Sequence, residues 1–151
     1  MSRISEYDKF PVIPVQTTGN AWQGWNSIVE VIRGRISQGA RRLAIECYPG
    51  VLEDEFSGAL SEGLKPVQFV RVRDSYKSTR DIEAMTSREL TDDPIFGRMN
   101  GFVIYDFVDP VRAASVREQL QRADKTILII GTGTSLIEPN PDILIYADLP
   151  R

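Results

Sequence analysis

Short apolar runs alternate with amphipathic stretches along the whole chain. Leu43 to Cys47 (LAIEC), Val67 to Val72 (VQFVRV), Ile127 to Ile130 (ILII) and Ile143 to Ala147 (ILIYA) are mainly apolar, interrupted by Glu46 in the first and by Gln68 and Arg71 in the second. Such runs predict strands of a sheet covered on both sides. Pro11 to Gln16 (PVIPVQ) predicts a further, first strand, with two prolines that favour an edge or an irregular start. Phe102 to Val108 (FVIYDFV) predicts another, making about six.

Between these runs the period changes to that of a helix. Ile28, Val29, Ile32 and Ile36 predict a helix over 26–37, with Gly39 as its stop. Leu52, Phe56, Ala59 and Leu60 predict a second over 51–62. Ser78 followed by Asp81 has the spacing of a capping box. Asp109-Pro110 supplies an N-cap and a first-turn proline, and Ala113, Val116, Leu120 and Ala123 share the inner face of the helix that follows. Leu90 to Gly101 is rich in turn residues. The pattern predicts one α/β domain over 1–151, with a mostly parallel open sheet and helices on both faces, Rossmann-like or P-loop-kinase-like.

Composition then removes chemistries. The 151 residues contain no histidine, which excludes a Ser-His-Asp triad and every His-ligated metal site. The single cysteine, Cys47, cannot close an intramolecular disulfide and fits a reducing compartment. A net charge of −3 argues against nucleic acid. The N-terminal MSRISEYDKF lacks the apolar core of a secretory signal, and no run is long enough to span a membrane. A cytoplasmic location is the expectation.

In open parallel sheets ligands bind beyond the carboxyl ends of the strands. After the first predicted strand, Thr17 to Asn26 (TTGNAWQGWN) contains Gly19 and Gly24 at the G-x-x-x-x-G spacing of a phosphate loop, with Asn20 between them. Trp25 and Asn26 stand where lysine and a hydroxyl residue belong, so the loop is degenerate. A plain turn is the competing reading. Glu46, at the end of the second predicted strand, is the candidate catalytic residue, as a base or metal ligand. It could equally accept hydrogen bonds from loop N–H groups or an arginine. Gly131, Thr132, Gly133 and Thr134, after ILII, offer close backbone approach and hydroxyls to a phosphate or a sugar, or form a simple turn. A cleft shared by 17–24 and 131–134 is expected. Arg71, Arg73, Asp74, Lys77 and Arg80 form a basic-leaning stretch that reads as solvated surface or as an anionic-substrate contact, and Asp92-Asp93 reads as capping first and a metal pair second.

The phrases YDKFPVIPV, AWQGW, AIECYPGVLEDEF, LTDDPIFGRM, YDFVDP, ILIIGTGTSLI and ILIYADLPR, in that order, resemble the N-terminal region of bacterial proteins of the class I mannose-6-phosphate isomerase type. The resemblance covers nearly the whole chain, and none of its segments is a catalytic signature. It implies a nucleoside-kinase-like domain that precedes a cupin barrel, with zinc held by the barrel and no cofactor in this chain. It therefore implies an accessory phosphate- or phosphosugar-binding domain that is not itself an isomerase. The alternatives are a non-catalytic interaction module and a small-molecule kinase-like domain. The expected partners are a small anionic metabolite, phosphosugar or nucleotide, a covalently linked cupin domain and a second copy of the chain.

Overall fold

The computed structural model describes residue 14 and residues 18–65, 67–93 and 97–148. Eleven elements follow in order: α1 (Trp25–Ser37), β1 (Arg42–Cys47), α2 (Glu53–Gly63), β2 (Val67–Arg71), a 3₁₀ turn (Val72–Ser75), α3 (Thr79–Thr86), a second 3₁₀ turn (Ile104–Phe107), α4 (Pro110–Arg122), β3 (Thr126–Gly131), α5 (Thr134–Ile137) and β4 (Ile143–Ala147). The local signals explain several boundaries. Ser78 caps α3 by accepting from the Asp81 N–H, and the Asp109 carboxylate caps α4 by accepting from Val111 and Arg112. Gly39, with φ +110, turns the chain after α1 where a side chain would be strained.

The four strands form one parallel sheet in the order β2-β3-β1-β4. β3 sits in the middle and is buried along its whole length. Alternate residues of β2 and β3 feed two separate cores. Leu43, Ile45, Leu128 and Ile130 pack under α1 and α2 on the first face, against Val29, Ile32, Leu60 and Leu64. Val70, Ile127 and Ile129 pack under α4 on the second face, with Ala113, Val116, Leu120 and Ile137 of α5. Each fully buried Leu or Ile contributes roughly 1.5–3 kcal/mol. Among the described residues no helix is long and apolar enough to cross a membrane.

Pro11–Gln16 lies outside the described residues apart from Pro14, which is exposed and belongs to no element. Phe102–Val108 does not form a strand. Asp106 folds back, its carboxylate accepting from the Val103 N–H at 2.8 Å, and the segment coils into the second 3₁₀ turn. Lys77 Nζ then pins the turn by donating to the Asp106 carbonyl at 2.5 Å. Only Val108 pairs, in an isolated antiparallel bridge with Tyr76. A side chain that satisfies nearby backbone groups has outcompeted an apolar run that reads as extended. The sheet of the described residues therefore has four strands rather than six.

Candidate functional site

The chain leaves β1 toward the first face, through α2, and leaves β3 toward the second, through α5. β1 and β3 are neighbours, so their carboxyl ends mark the point where connections diverge and where an open α/β sheet has its natural crevice. Glu46 and Gly131 are paired at that point, with Cys47 next in line.

Glu46 spans the crevice. Its carboxylate accepts from the Gly133 N–H, from the Thr134 hydroxyl at 2.6 Å and from the Ser135 N–H at 3.2 Å. Gly131 (φ +141) and Gly133 (φ +81) supply backbone conformations that aim these donors at one acceptor. Thr132 ties the same loop to its surroundings. Its hydroxyl donates to the Cys47 carbonyl at 2.9 Å, and its own carbonyl accepts from the Tyr76 hydroxyl at 2.6 Å. The structure thus joins Glu46 with Gly131, Thr132, Gly133 and Thr134. The loop N–H groups expected as possible donors to Glu46 do donate to it.

Glu53 of α2 comes up to the crevice at Gly131, where a Cβ would lie 3.2 Å from its Oε1. α2 opens with Glu53, Asp54 and Glu55, carboxylates that favour a helix N-terminus and occupy the charge an anion would otherwise seek there. Arg71 answers them, 2.7 Å from Asp54 Oδ1 and 3.8 Å from Glu53 Oε2. Neither the buried Glu53 Oε2 nor Arg71 NH1 has an aligned hydrogen bond, so these contacts are ion pairs by proximity. Burial pushes the Glu53 carboxyl above its ordinary value, against the pull of Arg73 and Arg71. The Cys47 thiol is raised by burial and then by Glu53, which keeps it protonated and poor as a nucleophile. The Tyr76 phenol is pushed up to about 12 by burial and by Glu53 and Glu46.

Residues 18–26 are exposed, and Gly24 (φ +80) caps α1 with no side-chain hydrogen bond. Trp25 meets Phe56 of α2 edge-on at 5.1 Å between centroids. Asn26 lines a groove of about 490 Å³ between α1 and α2. Thr17 is outside the described residues. Among the described residues, four surface clefts are lined by other combinations, none of which draws on both 18–24 and 131–134. Among the described residues no cluster of three or more His, Cys, Asp or Glu could hold a metal.

A family model described as "Domain of unknown function (DUF8485)" matches residues 24–151. The chain belongs to this family. No curated protein and no solved structure matches it. The DUF8485 match takes in every element from α1 to β4, with Glu46 and Gly131–Thr134 inside it and Gly19 and Asn20 ahead of it. Sequence reasoning missed Glu53 as a wall of the crevice. The three acids that open α2, seven residues after Glu46, were the available signal.

Proposed function

We propose that this DUF8485 domain is the accessory α/β part of a protein of the class I mannose-6-phosphate isomerase type, in carbohydrate metabolism, and that it transfers no phosphoryl group itself. The strand order β2-β3-β1-β4 with its crevice at β1 and β3 supports a kinase-like ancestry. One observation carries the rest: the crevice is filled by the chain's own groups. Phosphoryl transfer requires cationic and N–H donors aimed at a phosphate. Here the N–H donors of the 133–135 loop are spent on Glu46, and the helix after β1 begins with three carboxylates. The kinase-like alternative also lacks a lysine after Gly24, where Trp25 stands.

The non-catalytic interaction reading draws on a separate observation. Leu144 and Tyr146 of β4 are exposed on the second face, because α5 has only four residues and does not extend over this edge strand. An accessory domain can use such a face against a neighbouring domain. Isomerase chemistry is expected of a zinc-holding barrel, as the family resemblance implies, since this sequence supplies no histidine for one.

The test is a coupled assay of the chain with ATP, magnesium and a panel of sugars, alongside mannose 6-phosphate isomerisation with added zinc. No turnover above blank is expected in either. Saturable phosphoryl transfer would overturn the reading, as would metal-dependent isomerisation.

A further inference from the structure

At the end of the sheet opposite Glu46, three helices finish: α1 at Ser37, α2 at Gly63 and α4 at Arg122. Their terminal carbonyls carry partial negative charge, and cations are favourable beside them. Arg33 meets this need directly, donating to the Gly63 carbonyl at 2.7 Å. The cations gathered here exceed it. A cleft of about 270 Å³ is lined by Arg33, Arg41, Lys65 and Lys125, with Asp124 as its single acid and Leu64 and Val67 among its apolar lining. The ion pairs of the described residues lie elsewhere, at Arg42, Arg71 and Arg122. Four cations against one acid give the side chains of this cleft a formal surplus of three positive charges, with only Arg33 already bonded, to the Gly63 carbonyl, in a chain whose net charge is −3.

Like charges held together without counter-charges repel, and they concentrate anions from solution. A carboxylate would offset one of the surplus charges. A phosphomonoester dianion offsets two and offers several acceptor oxygens, suited both to the arginine fork and to the point charges of the lysines. We propose that this amino-end cleft binds the phosphate group of a small phosphomonoester. It is a site separate from the switch-point crevice and from the glycine loop ahead of α1. Only the expectation that the ester is a phosphosugar rests on the function proposed above.

Amide NMR titration of the 151-residue chain at low salt tests this, using inorganic phosphate, mannose 6-phosphate and mannose, with sodium chloride at matched ionic strength. Saturable shifts are expected at Leu64, Lys65, Lys125 and Thr126 with phosphate and with the phosphosugar, and none with mannose or chloride. The K65Q/K125Q double variant should keep its melting temperature and bind phosphate roughly tenfold or more weaker, because charge-assisted contacts are lost. Non-saturating shifts, equal shifts with chloride, or unchanged affinity in the double variant would overturn the site. So would saturation by an acidic peptide without any response to phosphate. Saturation by phosphate but not by the phosphosugar would keep the site and remove the phosphosugar. Phosphoryl transfer in the enzyme assay would instead sink the accessory reading while leaving this cleft standing.

Discussion

The Thr134 hydroxyl donates to Glu46 Oε2 across the crevice at 2.6 Å, and Thr134 is completely buried. This bond joins the end of β1 to the start of α5. A hydrogen bond to a charged group contributes about 1.5–3 kcal/mol, and loss of one partner leaves the carboxylate short of a donor. Thr134→Val keeps the shape and removes the donor. It should lower the melting temperature by roughly 4–10 °C in calorimetry. Thr134→Ser, which restores the hydroxyl, should recover most of the loss. Equal stability of the valine variant and wild type would show that the loop, and not the bond, holds Glu46.

Glu53 gives a pH-dependent prediction. Burial raises its folded-state pKa above the unfolded value, so the folded protein holds this proton more tightly. The group's ionisation therefore costs stability as pH rises from the ordinary carboxyl range through the raised pKa. Glu53→Gln removes that cost, and Asp54 remains to pair with Arg71. The variant should match wild type in acid and become more stable than wild type toward neutral pH in denaturant titrations. A variant less stable at neutral pH than in acid, relative to wild type, would show that the Arg71 pairing outweighs burial.

Packing between α1 and α2 rests on a close approach at Gly63. A Cβ there would overlap Val29 Cγ1 and lie 3.0 Å from Cγ2, and Val29 is buried with a stiff, branched side chain. Gly63→Ala should cost about 1–3 kcal/mol through overpacking. In the G63A/V29A double variant the penalty of the added methyl should largely vanish, a coupling that a double-mutant cycle measures. Additive effects would place the strain elsewhere.

Much of the fold was legible because its signals are local. Asp109-Pro110 starts α4, Ser78 caps α3, and the apolar runs at 43–47, 67–71, 127–130 and 143–147 are strands. The failure at Phe102–Val108 is local too. The run is apolar enough for a strand, yet Asp106 offers Val103 a hydrogen bond at three residues' separation, and Lys77, distant in sequence, fastens the result. The candidate site was half legible. Glu46 and the Gly131 loop were visible as strand ends, but their pairing depends on β1 and β3 being neighbours, which follows from the crossover and from no single segment. The basic cleft was invisible for the same reason. Arg33, Arg41, Lys65 and Lys125 come from the ends of separate elements that only the sheet order brings together.

Glu46 takes the loop donors that a nucleotide phosphate would need in the crevice between β1 and β3, so the crevice is expected to be closed to nucleotide. Titration of the amide NMR spectrum with ATP and magnesium reads it directly, at Gly131, Gly133 and Ser135. Those three amides should stay unmoved, or shift without saturating, into the millimolar range, because the Gly133 and Ser135 N–H groups are committed to Glu46 and the Glu53 carboxylate lies beside Gly131. Saturation of those same amides at micromolar ATP would contradict the account and promote the kinase-like alternative.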